Sequence, residues 1–321
     1  MRIRPVHAEE LDLFVEAGSP EHREEVVRYL QSMFAAGSMR PEWCFVAQEE
    51  EEDRPLGRVA FWTLPGMEEP FALVLLDVPW VGDYMGVGAP LLEDALEEAR
   101  VLGAKEIEHV LDAPPMRPQF QHSPEERVEM LRSVGFAFRR ETGRFEWPGG
   151  EPNAEPARLS YRTLEEVGDE ALVEAMRRVS EGTLDREIRE ERERLGPQRA
   201  AREFFEDAQR VDHGPSWWRL AYSRPEGELV GLVMPAEPPG FLTLFYIGVV
   251  AEMRGRGYID DLLAAGTGTL LEARARDGNE KPLRADADVA NAPMSAAFER
   301  AGWTRFAGRH EYSVDLTSDR A

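Results

Sequence analysis

The residues whose types and spacing could do chemistry are concentrated between Phe241 and Trp303. The turn Ala251-Glu-Met-Arg-Gly-Arg-Gly-Tyr258 sets Gly255 and Gly257 beside Arg254 and Arg256. Glycine permits the tight curl that lets successive backbone N–H groups converge on one concavity. Downstream, Leu262, Leu263, Gly266, Leu270 and Leu271 recur at spacings of three and four, which predicts a helix. Unpaired N–H groups and the dipole at a helix N-terminus favour an anion, and the two arginines add positive charge. The chemistry expected of this turn is the holding of a phosphate. Candidate proton acceptors lie upstream, where Glu181, Asp185, Asp212 and His213 each could deprotonate an ammonium or stand solvated on a charged surface. Asp286 and Asp288 alternate with alanine on a predicted strand, so they share a face that could bind a cation or meet water.

The elements that must position these residues are legible around them. An apolar strand, Phe241 to Val250, feeds the turn, and a second strand, Leu283 to Val289, follows the helix. Gly248 in the first strand marks either a bulge or a close backbone approach. Other phosphate-binding designs are excluded. There is no Gly-Lys-Ser/Thr, and Gly86-Val-Gly88-Ala-Pro-Leu91 lacks the third glycine of a dinucleotide turn. No Gly-x-Ser-x-Gly elbow is present. His7, His22, His109, His122 and His310 are scattered without ligand spacing, so no metal is implied.

Two stretches of this region resemble a known family. Val249-x-Ala-x-x-Arg254-Gly-Arg-Gly257-Tyr-Ile259, followed by Leu262-Leu263, resembles the acyl-CoA pyrophosphate loop of the GNAT N-acetyltransferases, Arg/Gln-x-x-Gly-x-Gly/Ala. Asn291-x-x-Met294-x-x-Ala297-Phe298-Glu-Arg-Ala-Gly302-Trp303 resembles that family's second signature, Asn-x-x-Ala-x-x-Leu-Tyr-x-x-x-Gly-Phe. The resemblance implies acetyl-CoA as cosubstrate, held by Ile247, Val249, Arg254, Gly255, Arg256, Gly257, Tyr258, Ile259, Asn291 and Phe298. It implies direct attack of an amine on a thioester whose carbonyl is polarised by a backbone N–H within Ile247–Val250. Many members carry, at the position of Phe298, a tyrosine that protonates the leaving thiolate. Phenylalanine cannot, so that role is lost or moved to Tyr246, Tyr258 or Tyr312. Tyr246, Glu181 and Asp212 are the catalytic candidates taken forward.

The pattern occurs twice. Phe71-Ala-Leu-Val-Leu-Leu-Asp-Val78 is a strand of matching apolarity, followed by Asp83-Tyr-Met-Gly86-Val-Gly88 and a helix opening at Leu91-Leu92. A near-constant offset relates Gly86 to Gly257 and Gly135 to Gly302. The expectation is a tandem α/β protein of two GNAT-like modules, each a mixed, mostly antiparallel twisted sheet flanked by helices. Their bounds are 1–148 and 157–321, joined by a Pro/Gly-rich linker at 149–156. A chain of 321 residues suits two domains of about 150. In the first module Asp83 replaces Arg254, placing a carboxylate where pyrophosphate should sit, and Asp112-Ala-Pro-Pro-Met-Arg-Pro-Gln-Phe-Gln-His-Ser-Pro124 replaces the stretch containing Asn291. That module is read as degenerate.

A net charge of −23, from 61 acidic and 38 basic residues, argues against nucleic acid. It is compatible with a small cationic amine as acceptor, or simply with solubility. Glu49-Glu-Glu-Glu-Glu-Asp53 is expected to be a solvated hairpin loop. The single cysteine, Cys44, excludes an internal disulfide, and no apolar stretch is long enough for a signal peptide or a membrane span. The expectation is a cytoplasmic acetyltransferase, possessing an internal pseudo-dimer and of open oligomeric state. The alternative is a non-catalytic acyl-CoA-binding or sensing protein, and a third reading is a structural pseudoenzyme.

Overall fold

The computed structural model describes residues 1–50, 54–150 and 158–317. The chain divides into two compact units, Met1–Arg140 with Arg309–Ala321, and Glu141–Gly308.

Unit 1 begins with β1 (Arg2–Pro5), α1 (Leu11–Glu16), α2 (Arg23–Ala35), β2 (Cys44–Gln48), β3 (Pro55–Trp62) and β4 (Ala72–Asp77). It continues through α3 (Tyr84–Val101), β5 (Glu106–Ala113) and α4 (Pro124–Ser133) into β6 (Ala137–Glu146). β1 to β4 pair antiparallel in sequence order, and β4 pairs β5 in parallel. All five residues of β2 are buried, as expected of a strand covered on both faces. One cover is α1 and α2, whose Phe14, Val26, Leu30 and Met33 pack with Val46 and Ala60. The other is α3 and α4, whose Leu92, Leu96 and Met130 pack with Phe45, Phe61 and Leu76. β2 and β3 pair antiparallel, while residues 51–53 of the expected Glu49–Asp53 loop lie outside the described ones.

Unit 2 comprises β7 (Leu159–Thr163), α5 (Leu164–Val167), α6 (Asp169–Val179), α7 (Arg186–Leu195), α8 (Pro197–Ala208), β8 (Arg219–Ser223) and β9 (Leu229–Ala236). Then come β10 (Leu242–Val249), α9 (Tyr258–Asp277), β11 (Leu283–Asp288), α10 (Ala292–Arg300) and β12 (Thr304–Asp315). β7 to β10 pair antiparallel in order and β10 pairs β11 in parallel. The pairing order of unit 1 therefore recurs, as the sequence repeat implies. α9 lies over β9 and β10, where Gly266 faces Leu244 and Val233, while Val179 of α6 covers Gly248 on the other face.

The units do not follow the expected cut at 149–156, whose residues 151–156 lie outside the described ones. Thr142 to Glu146 of β6 pair antiparallel with Asp288 to Arg284 of β11, so this strand enters unit 2. Conversely, residues 309–316 return to unit 1 beside β5, with Leu316 N–H donating to Lys105 O at 2.8 Å. The physical reason is that duplicated modules carry strands of the same kind at this position. Either strand can satisfy either sheet edge, so exchanging an equivalent element sacrifices no hydrogen bonds.

One buried residue of β5 is expected to make unit 1 acid-sensitive. His109 is fully buried, with Nδ1 2.9 Å from Leu73 O and Nε2 without a partner among the described residues. Burial lowers its pKa from 6.5 to about 4, the hydrogen bond to Leu73 opposing part of that fall. The unfolded chain therefore takes up the proton first. The stability that neutral His109 contributes is complete above the unfolded pKa and is lost as pH falls towards the folded one, by about 3 kcal/mol for such a shift. Urea unfolding at about pH 7 and about pH 4.5 is expected to show this loss, and His109→Leu to flatten it. An equal pH dependence in the variant would assign it to other groups.

Candidate functional site

β10 and β11 pair only at their beginnings, Leu242 with Leu283 and Thr243 with Arg284, and part beyond them. On its other edge β10 carries a bulge between Leu244 and Tyr246, so Phe245 is the extra residue. A bulge bends the strand and turns backbone groups out of the ladder. Of the two roles open to Gly248, the structure selects close approach. A Cβ there would lie 2.3 Å from Val179 Cγ1, and one at Gly231 would lie 2.1 Å from Gly248 O.

The turn after β10 has the anticipated form. Gly255 and Gly257 adopt φ of 77° and 75°, and α9 begins at Tyr258. The N–H groups of Gly255, Arg256, Gly257, Tyr258 and Ile259 meet no acceptor among the described residues. Their companion carbonyls are held elsewhere: Arg158 Nη1 donates to Arg256 O at 3.1 Å and Nη2 to Gly257 O at 2.9 Å. Tyr258 lies beneath that guanidinium, 4.8 Å from its centre. Ile259, where the resemblance leads one to expect glycine or alanine, packs partly buried against the core. Arg256 is exposed and donates to Glu252 O at 3.2 Å.

Arg254 does something the sequence does not suggest. Its guanidinium donates to Val249 O at 3.1 Å, Gly182 O at 3.2 Å and Val179 O at 2.7 Å. Carbonyls left over at the end of α6 carry concentrated negative partial charge, and a fork of five donors can satisfy several together. Asp288, buried at the end of β11, accepts from Arg186 N at 2.9 Å and Ala290 N at 2.7 Å. The segment 179–186 is thus tied to both strands that border the opening. Asp286 is exposed and pairs with Arg144 at 3.3 Å, so the two aspartates that alternate on β11 differ in environment.

The catalytic candidates do not all converge. Glu181 is exposed beside Gly182, on the Arg254 side of the opening. Asp185 caps α7, accepting from Ile188 N at 3.1 Å. Tyr246 packs on Phe204 at 5.0 Å. Burial raises its pKa, Asp185 adding to the rise while Arg254 and Arg192 oppose it, so near neutral pH the phenol holds its proton. Asp212 is corrected: its carbonyl accepts from Glu237 N, just beyond β9, and Ala236 pairs with Thr243. It therefore stands at the opposite end of β10 from the turn, as does His213, stacked on Trp218. Phe298 is also corrected. It is 1% exposed, stacks on Phe145 at 4.9 Å and meets Trp303 edge-on, because α10 turns this face into the core. Tyr312 belongs to the core of unit 1. Asn291 precedes α10 and caps it through its carbonyl, accepting from Met294 N and Ser295 N. Ile247 is half-buried and Val249 buried in the β10 arm.

The matching opening of unit 1 is filled by its own side chains. β4 and β5 pair only through Ala72 with Glu108 and Leu73 with His109. Leu75, at φ 53°, donates its N–H to Gln119 Oε1 at 2.9 Å. Gln121 bridges Val110 O at 2.5 Å and Asp112 N at 3.0 Å, and buried Arg127 donates to Leu76 O at 2.7 Å. Asp83 Oδ1 accepts from Gly86 N at 2.8 Å, so a carboxylate of the chain caps the helix where the phosphate turn would be. Among the described residues no group of His, Cys, Asp or Glu could hold a metal, and no helix is long and apolar enough to cross a membrane.

No protein-family model matches the sequence, and no curated protein matches it. Solved structures do match in fold. A GCN5-related N-acetyltransferase from Sphaerobacter thermophilus aligns with TM-score 0.64 at 14% identity, covering 99% of this chain and 96% of that one. A tandem GNAT protein from the clavulanic acid biosynthesis pathway aligns over 99% of both chains, with TM-score 0.53 and 16% identity. A glucosamine N-acetyltransferase region of a fungal multi-domain β-N-acetylglucosaminidase aligns with TM-score 0.57 at 13% identity, covering 97% of this chain and 38% of that one. The chain thus has the GNAT acetyltransferase fold in tandem.

Proposed function

We propose that the protein is an acyl-CoA-dependent N-acetyltransferase in which unit 2 binds acetyl-CoA and acetylates the amine of a small, cationic acceptor. The observation that carries this reading is the set of N–H groups at 255–259, without acceptors among the described residues, at the N-terminus of α9 and the mouth of the β10–β11 opening. Such a concavity suits a pyrophosphate. The edge of β10 beyond Thr243 would run beside the pantetheine arm and offer a backbone N–H to the thioester carbonyl. The amine nitrogen attacks that carbon, the C–S bond breaks, the ammonium proton passes to a base and the thiolate takes up a proton. Glu181 is the base candidate that remains on this side of the opening, and Tyr246 the donor. The chain's acidity would draw a cationic acceptor towards it. Use of acetyl-CoA suits a cytoplasmic setting.

Unit 1 on this reading binds no acyl-CoA, since Asp83 and Gln119 already occupy the two groups such a ligand would need. Calorimetric titration is expected to give one acetyl-CoA per chain, and a panel of amines to reveal thiol release. Two sites per chain would overturn the asymmetry, and none would overturn the site. Burial of Phe298 favours a second reading, an acyl-CoA-binding protein without turnover. Binding without thiol release from any amine would select it.

A further inference from the structure

Arg158 stands at the start of β7, remote in sequence from the glycine turn, yet its guanidinium is directed wholly at that turn and the helix behind it. Nε meets Asp261 Oδ2 at 2.5 Å, Nη1 meets Arg256 O and Nη2 meets Gly257 O. Asp261 is 2% exposed in the first turn of α9, and its carbonyl accepts from Tyr161 Oη at 3.4 Å. A carboxylate this deeply buried requires a cationic partner, and the hydrogen bond to it in turn holds Arg158 protonated.

The consequence lies in the peptide plane. Across a trans peptide, the C=O of one residue and the N–H of the next point in opposite directions. Drawing Arg256 O and Gly257 O towards Arg158 therefore turns the N–H groups of Gly257 and Tyr258 away from it, towards the concavity. The left-handed backbone at Gly257 makes this orientation accessible. We infer that Arg158 is the positioning residue of the anion-binding turn, fixing the direction of two of its N–H groups from behind, with Asp261 as its anchor. This rests on the reading of unit 2 as the acyl-CoA site.

The test compares acetyl-CoA with S-acetyl-pantetheine, which carries the same thioester and arm but no pyrophosphate. The full chain is used with Arg158→Lys, which keeps a charge near Asp261 but cannot hold both carbonyls. The double variant Arg158→Ala with Asp261→Asn removes the carboxylate that would otherwise be buried unpaired. In both, the Kd for acetyl-CoA is expected to rise about tenfold or more, the scale of a lost charge-assisted contact, while that for S-acetyl-pantetheine stays constant. Equal weakening of both ligands would make Arg158 merely structural. Wild-type affinity in the lysine variant would reduce its role to charge, and unchanged affinity in both variants would remove it. A wild-type chain without affinity for acetyl-CoA would overturn the site itself, a result separable from all of these.

Discussion

A chain ending at Gly150, or one beginning at Arg158, is expected to remain unfolded alone, although each contains a complete sequence repeat. The first lacks residues 309–316, and with them the buried Tyr312, Val314 and Leu316 and the strand beside β5. The second lacks Thr142 to Glu146, the partner of β11. It also lacks Phe145, on which Phe298 stacks, and Trp147, which meets Trp303 at 5.9 Å. Removing one large buried aromatic costs about 3–5 kcal/mol, against a total stability of roughly 5–15 kcal/mol for a domain. Two such losses, with a vacated strand edge, leave little margin. Circular dichroism with thermal melting of each fragment measures this, and mixing the two is expected to restore a cooperative transition. A cooperative melt from either fragment by itself would contradict the strand assignment.

The second large effect is expected at Arg254. In Arg254→Glu a carboxylate would face the carbonyls of Val179, Gly182 and Val249, which now receive a guanidinium. Each charge-assisted hydrogen bond is worth about 1.5–3 kcal/mol, and the replacement adds repulsion beside the turn. Acetyl-CoA binding by unit 2 should weaken by about 100-fold or more, with segment 179–186 released from β10. Arg254→Gln, which retains an amide donor, should fall between. Titration with acetyl-CoA and amide exchange across 179–186 read the two halves of this expectation. An unchanged Kd in a folded Arg254→Glu chain would separate the turn from ligand binding.

Much of the fold was legible because it rests on local pattern. The glycine turn, the helix after it and the repeat relating Gly86 to Gly257 are contiguous signals, and each appears where the spacing put it. What was not legible is which distant group meets each local one. β6 and β12 are equivalent strands, and nothing within either segment states whose sheet edge it will occupy. Arg254 could be recognised as cationic beside the turn, but not as the partner of three carbonyls, two of them on a segment far upstream. Phe298 followed the motif, whereas its orientation is decided by Phe145, from the other half of the sequence. Arg158 and Gln119 carried no motif at all. The proline-rich stretch around Gln119 was visible as irregular, and that irregularity was the one available signal that the first opening is filled.

Asp83 lies three residues from the Gly86 N–H it engages, and Gln119 reaches Leu75 from the same chain. Groups tethered on one chain act at an effective concentration of about millimolar order, which dilution cannot change. A diffusing metabolite occupies a site in proportion to its supply, whereas these two are present from the moment the chain folds. On the proposed reading unit 1 is capped by its own groups, and its shape should be indifferent to the swings of an acyl-CoA pool. On that reading, of the two copies the second is the one that would register what the cell has in stock.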